Sequence, residues 1–213
     1  MTLGVEREDY GGGSLDPADV HPDPIVQFRA WFADAVQSGV GQPEAMTLAT
    51  VGPDGRPTSR YVLLRGVDER GLQFFTNYDS DKGRHLAERP YAALTFGWLP
   101  IHRSVRVEGP VERLPEAESD AYFEGRPREA RLGAWASPQS AVIAGRDDLE
   151  RALAQAQERF AGGDVPRPAH WGGFVLRPER LELWQGRAGR LHDRVRYERD
   201  GDADGWRIER LAP

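Results

Sequence analysis

Cysteine is absent from this chain, which excludes disulfides, thiolate metal sites and cysteine nucleophiles. No apolar run approaches the ~20 residues that a helix needs to cross a bilayer. The stretch from Met1 to Asp23 is polar, acidic and glycine-rich, without the charged start and apolar centre of a secretory signal. Together these absences predict a cytoplasmic protein with no membrane partner. An excess of basic charge is missing too, since the net charge is −6 and the isoelectric point about 5.5. Nucleic acid normally requires a basic face, so no nucleic-acid partner is expected. The five histidines, at positions 21, 85, 102, 170 and 192, lack metal-ligand spacing such as His-Glu-x-x-His, and no metal is expected.

The 213 residues and 39% hydrophobic content suit one domain with a sizeable core, or one completed by dimerisation. Residues 1–22, with Gly11-Gly12-Gly13 and no periodicity, read as a mobile arm, and 23–213 as a single domain. Asp23-Pro24 is a helix start, and Ile25, Phe28, Phe32 and Val36 follow at helical spacing, predicting one buried face. The period then becomes that of strands. Met46–Val51 and Thr58–Gly66 read as a hairpin about Pro53-Asp54-Gly55, and Leu72–Thr76 follows the turn Asp68-Glu69-Arg70-Gly71. Ser80–Glu88 reads as a short helix, and Tyr91–Trp98 and Ser104–Arg113 as strands. Helical segments are expected at about 115–125 and 147–161, the second with Leu149, Leu153, Ala156 and Phe160 inward. Gly173–Gln185, Arg190–Glu198 and Gly205–Arg210 read as the last strands, the final two joined by residues 200–205. Many short strands with few helices predict a mainly β, α+β chain: an antiparallel barrel with peripheral helices.

The densest chemistry lies in Trp184-Gln185-Gly186-Arg187-Ala188-Gly189-Arg190-Leu191-His192-Asp193-Arg194. Alternate residues of a strand share a face, so this reading sets Arg190, His192 and Arg194 side by side. Cations so placed either hold an anion or face solvent.

Three further segments accompany it: Arg60-Tyr61-Val62-Leu63-Leu64-Arg65, Phe75-Thr76-Asn77-Tyr78-Asp79-Ser80-Asp81-Lys82-Gly83, and Tyr122-Phe123-Glu124-Gly125-Arg126-Pro127-Arg128 running on to Trp135-Ala136-Ser137-Pro138-Gln139-Ser140. In this order and spacing, and with the terminal Arg210-Leu211-Ala212-Pro213, the chain resembles the pyridoxamine 5′-phosphate oxidase family from about Arg7 to its end. The resemblance implies the FMN-binding split β-barrel, an antiparallel Greek-key fold, working as a homodimer with FMN sites at the interface. It implies an FMN oxidase that converts pyridoxamine or pyridoxine 5′-phosphate to pyridoxal 5′-phosphate, with O2 as acceptor and hydrogen peroxide as by-product. By the same resemblance Arg60, Leu64, Arg65, Phe75, Thr76, Lys82, Ser104, Gln139, Ser140, Trp184 and Arg194 are cofactor positions. Arg65, Tyr122, Arg126 and Ala130 take the place of a substrate-phosphate grip, and Arg190 and His192 of the catalytic pair beside the reacting carbon.

Four of these positions depart from the family pattern. Arg65 stands for a lysine, Asp81 for a basic residue, Ser104 for a glutamine and Ala130 for a serine. Two function classes therefore stay open: an oxidase of the phosphorylated vitamers or a related amine, and a non-catalytic flavin or pyridoxal-phosphate binder. Retained Tyr122, Arg126, Arg190 and His192 favour the enzyme.

Overall fold

The computed structural model describes residues 10–11, 13–199, 201 and 205–213. Helix α1 (Pro24–Gln37) starts where expected, with Asp23 Oδ1 accepting from the Ile25 amide over 2.7 Å. Its buried face is Ile25, Phe28, Trp31 and Ala35, while Phe32 is half-buried and Val36 is exposed. The stripe thus lies one residue round from the expected one. Trp31 takes the inward place by packing under the Arg103 guanidinium, 4.4 Å from its ring centroid.

Ten strands follow: β1 (Ala45–Val51), β2 (Pro57–Leu63), β3 (Gly66–Asp68), β4 (Gly71–Asn77), β5 (Tyr91–Trp98), β6 (Arg103–Arg113), β7 (Trp171–Leu176), β8 (Arg180–Gln185), β9 (Asp193–Arg199) and β10 (Trp206–Leu211). Between them lie helices α2 (Asp81–Glu88), α3 (Glu116–Glu124), α4 (Arg128–Ala136) and α5 (Arg146–Arg159). All pairings are antiparallel, in the order β10-β9-β8-β6-β5-β1-β2, with β3, β4 and β7 branching from β6. Strand β6 is the hinge of the fold. Its first half pairs with β8 and its last three residues with β7, so the sheet divides into a split barrel.

That division corrects the single strand expected over Gly173–Gln185. The chain breaks at Arg177-Pro178-Glu179, where Pro178 has no amide to donate. Arg177 and Glu179 straddle β6, donating to the Pro110 and Glu108 carbonyls. The residue between those acceptors is Gly109, where a Cβ would lie 1.9 Å from the Arg177 carbonyl oxygen, so only glycine admits the crossing. The strand expected over Thr58–Gly66 divides too: the Leu64 amide bonds to Glu44 and the Arg65 amide to Gln73, as the chain leaves β1 for β4. Helix α4 was not expected. It buries Leu132 and Ala136, and Leu132 packs with Ala156 of α5 and with Val165. Leu149 and Leu153 of α5 and its C-cap Phe160 are only half-buried.

The core joins α1 to the barrel through Phe28, Leu48, Phe74, Leu94, Phe96, Trp98 and Tyr197, each 0–1% exposed. Truncating Phe28 to alanine would cost about 3–5 kcal/mol, lost packing and a cavity together. The arm expected over residues 1–22 lies partly outside the described residues. From Leu15 onward it is tied down: Leu15 is buried, its amide donates to Asp193 Oδ2, and Arg210 binds its carbonyl and the Asp16 carboxylate. The turn expected over 200–205 falls mostly outside the described residues. Among the described residues no helix is long and apolar enough to cross a membrane.

Candidate active site

One cleft of about 1660 Å³ opens between β2, β4, α2, α3 and the loop after α4. It exceeds the 300–1,000 Å³ usual for a single small-molecule site. Ten expected residues line it: Arg60, Arg65, Phe75, Thr76, Lys82, Tyr122, Arg126, Ala130, Gln139 and Ser140. Leu64 instead turns into the core.

Two cationic groups occupy this cleft. The first surrounds Lys82, the only lysine in the chain. Ser80 caps α2, its hydroxyl accepting from the Gly83 amide, which fixes Lys82 in the first turn. The buried ammonium donates to Gln139 Oε1 at 2.9 Å, Thr76 Oγ1 at 3.2 Å and Ser80 Oγ at 3.3 Å. Burial pushes its pKa down to about 8, helped by the Arg60 charge and partly offset by Asp81. Arg60 rises beside it from β2, bound to the Leu48 carbonyl and the hydroxyls of Thr50 and Thr58, and burial lowers its pKa as well. Asp81, the charge-reversed position, lines the cleft but pairs with Arg84, both side chains being more than half exposed.

The second group is Arg65, Tyr122 and Arg126. Tyr122 stacks on Phe75 with ring centroids 3.7 Å apart and planes 9° from parallel, and Trp171 continues the stack. Arg126 lies 4.5 Å over the Trp171 ring, and its Nη1 is buried without a protein partner. Burial depresses the Arg126 pKa, opposed in part by Tyr122 and, as a smaller effect, reinforced by the Arg65 charge. A buried guanidinium nitrogen left unpaired is costly, and an entering anion would satisfy it. Among the described residues, none of Arg60, Arg65, Lys82 and Arg126 is ion-paired to a carboxylate, so an acidic chain carries a cationic cleft.

None of the remaining expected residues lines this cleft; Ser104, Trp184, His192 and Arg194 form another cluster, and Arg190 is exposed in the turn beside it. Ser104, Trp184 and Arg194 are direct cross-strand partners on β6, β8 and β9 and share one sheet face. Arg194 forks onto buried Glu182, through Nε at 2.9 Å and Nη2 at 3.1 Å, and Nη1 binds the Ala212 carbonyl. The Trp184 and His192 rings lie 4.7 Å apart, and His192 Nδ1 accepts from the Arg187 amide. The common strand face expected for Arg190, His192 and Arg194 does not form. Gly189 and Arg190 have φ of 63° and 61°, closing a turn over Ala188–Arg190, and β9 begins only at Asp193. Successive left-handed residues cannot continue a strand.

Sequence reasoning missed three residues around these groups. The Tyr10 ring sits 4.7 Å from that of His102, 5.6 Å from His192 and 5.8 Å from Trp184; its signal was a lone aromatic residue in a glycine-rich stretch. Thr50 and His85 lie behind Arg60, and nothing in their spacing marked them.

Comparison with known proteins accords with this geometry. Residues 32–160 match the family model described as pyridoxamine 5′-phosphate oxidase, and 171–213 match the pyridoxine 5′-phosphate oxidase C-terminal dimerisation region. The chain is 56% identical over 207 residues to pyridoxine/pyridoxamine 5′-phosphate oxidase 1 of Ralstonia nicotianae, covering 97% of each. It is 53% identical over 208 residues to the pyridoxine/pyridoxamine 5′-phosphate oxidase of Salinibacter ruber, again covering 97% of each. Among solved structures it resembles PhzG from Burkholderia lata in complex with tetrahydrophenazine-1-carboxylic acid. The TM-score is 0.89 at 32% identity, over 97% of this chain and 100% of that one.

Proposed function

The chain belongs to the pyridoxamine 5′-phosphate oxidase family, and on that footing we propose that it oxidises pyridoxamine and pyridoxine 5′-phosphate to pyridoxal 5′-phosphate with FMN and O2. The observation that carries this reading is the pair of unpaired cationic groups in one cleft. Two phosphates require two grips, one for the cofactor and one for the substrate.

The residues fit FMN. Lys82 and Arg60 supply charge for its phosphate, Thr76 and Ser140 supply hydroxyls, and Gln139 offers an amide. Bound there, FMN would supply a two-electron acceptor for the hydride lost from the substrate's C4′ carbon, with O2 as the final oxidant and hydrogen peroxide as its reduced product. Arg126, stacked on Trp171, and Arg65 grip the substrate phosphate with Tyr122. This spends binding energy far from the reacting carbon to hold it in place. Arg65 offers a fork where a lysine would offer a point charge, and Ala130 offers no hydroxyl.

Trp184, Arg190, His192 and Arg194 serve the cleft of a second copy. In this reading a homodimer has two composite sites, each joining the cleft of one protomer to the C-terminal cluster of its partner. The dimerisation-region match over 171–213 supports it. His192, its Nδ1 engaged by the Arg187 amide, presents Nε2 for moving a proton, and Arg190 supplies charge beside it. The unpaired Arg126 favours an enzyme over a bare flavin binder, which has no use for a second phosphate grip.

The test is to load the purified protein with FMN and add pyridoxamine 5′-phosphate. Stoichiometric flavin, O2 uptake and peroxide release are expected. Failure to hold FMN, or a flavoprotein that releases no peroxide, would overturn the reading.

A further inference from the structure

Arg60 is held from behind by three oxygens. Nη1 donates to the Leu48 carbonyl at 3.1 Å and to Thr50 Oγ1 at 2.7 Å, and Nη2 to Thr58 Oγ1 at 2.6 Å. None of the three is a carboxylate, so the guanidinium is oriented without being neutralised. Thr50 is the buried one, 1% exposed, and its oxygen has a second neighbour, Nδ1 of His85 on α2, at 3.1 Å. Arginine can only donate, so the Thr50 oxygen accepts from Arg60. The hydroxyl proton then needs an acceptor of its own, because buried hydroxyls are paired. The lone pair of His85 Nδ1 provides one. A single arrangement therefore uses every group: Arg60 donates to Thr50, Thr50 donates to His85, and the imidazole proton sits on Nε2. Gly52 leaves the ring its place, since a Cβ there would come 3.3 Å from Nε2 and 3.0 Å from Asp54 Oδ1.

We propose that Thr50 and His85 are positioning residues for Arg60. The imidazole fixes the direction of the Thr50 hydroxyl proton, and this turns the oxygen lone pair toward Arg60 and aims its guanidinium at the FMN phosphate. The proposal rests on the reading of Arg60 as a phosphate-binding cation given above. His85 also lines the cleft, so direct contact with the phosphate through Nε2 is the competing role. The two roles separate by isostere: asparagine carries an acceptor where Nδ1 was, and glutamine places an amide near Nε2.

The experiment titrates the flavin-free protein with FMN, and with riboflavin, which has no phosphate, by quenching of flavin fluorescence. Melting temperatures are recorded for each variant. Thr50→Val and His85→Leu are expected to weaken FMN about five- to tenfold and to leave riboflavin unchanged. Thr50→Ser and His85→Asn should return FMN binding to within about twofold, and His85→Gln should not. Wild-type FMN affinity in Thr50→Val and His85→Leu, with affinity lost in Arg60→Ala, would overturn the positioning role alone. Unchanged FMN affinity in Arg60→Ala would overturn the reading beneath it. Recovery in His85→Gln but not in His85→Asn would make His85 a direct contact and also overturn the proposal. Should Thr50→Val fail to fold, the three His85 variants decide the matter by the same criteria.

Discussion

The ammonium of Lys82 donates to Oε1 of Gln139 over 2.9 Å, joining the first turn of α2 to the loop after α4 and closing one end of the cleft. This bond holds a buried cation without neutralising it, and the pKa of about 8 follows from that burial. In the unfolded chain a lysine titrates near 10.4. Below pH 8 both states are charged and the full cost of burying the charge weighs on the fold. Between pH 8 and about 10.4 the folded state has shed its proton and the unfolded state has not, so this group makes stability rise with pH. Lys82→Met should abolish that rise in denaturant titrations of the flavin-free protein. FMN binding at pH 8, where about half of the Lys82 groups are already ammonium, should take up about half a proton as the phosphate restores the charge, and calorimetry in buffers of different ionisation heat checks this. Binding without proton uptake would contradict it.

Arg126→Ala removes the guanidinium whose Nη1 is buried and unpartnered. A charge-assisted bond contributes about 1.5–3 kcal/mol, so KM for pyridoxamine 5′-phosphate should rise roughly 10- to 150-fold. Unphosphorylated pyridoxamine, assayed at high concentration, should be almost unaffected. Equal losses on both substrates would assign Arg126 to packing against Trp171 alone.

Asp81 pairs with Arg84 and lines the cleft near Arg60 and Lys82, the proposed grip on the FMN phosphate. Its half-exposed charge is screened, so Asp81→Asn should tighten FMN only about two- to threefold at low salt. The gain should vanish near 0.5 M salt, a trend that fluorescence titration can follow. A gain that persists at high salt would mean something other than charge repulsion.

Glu182 is 6% exposed and binds both Arg106 and Arg194. Glu182→Ala takes from Arg194 its only carboxylate partner among the described residues, while Arg106 keeps Glu108, and should cost about 2 kcal/mol in chemical denaturation. Glu182→Gln should cost less, because the amide can still accept one bond. A loss below about 1 kcal/mol in Glu182→Ala would show that the arginines find other partners.

The hairpin of β1 and β2 was legible because buried and half-buried residues alternate on β1, and Pro53-Asp54-Gly55 marks its turn. The break at Arg177–Glu179 was not, because it depends on Gly109, almost 70 residues away in the chain, which alone lets the backbone cross there. Helix α4 is short and lies between Pro127 and Pro138, too little sequence for a helical period to stand out. Ten expected site residues from separate segments converge on one cleft, since side-chain chemistry is written in the sequence even where the path between segments is not. The strand face of Arg190, His192 and Arg194 failed because period-two reasoning assumed an extended chain. Gly189 was the one sign of a turn. Thr50 and His85 could not be found this way: a hydroxyl and an imidazole 35 residues apart acquire meaning only when α2 packs against β1.

The central claim is that each site is built from the cleft of one protomer and the C-terminal cluster of its partner. It is tested most directly by mixing two inactive variants, one disabled in the cleft by Lys82→Ala with Arg126→Ala, the other in the C-terminal cluster by Trp184→Ala with His192→Ala. After dissociation and random reassociation with FMN, half the dimers are mixed, and each mixed dimer has one site built wholly from intact halves. Oxidation of pyridoxamine 5′-phosphate should then return to about a quarter of the wild-type rate per protomer. Mixed dimers that form but stay inactive would contradict the composite site and require the cleft and the cluster to act within one chain.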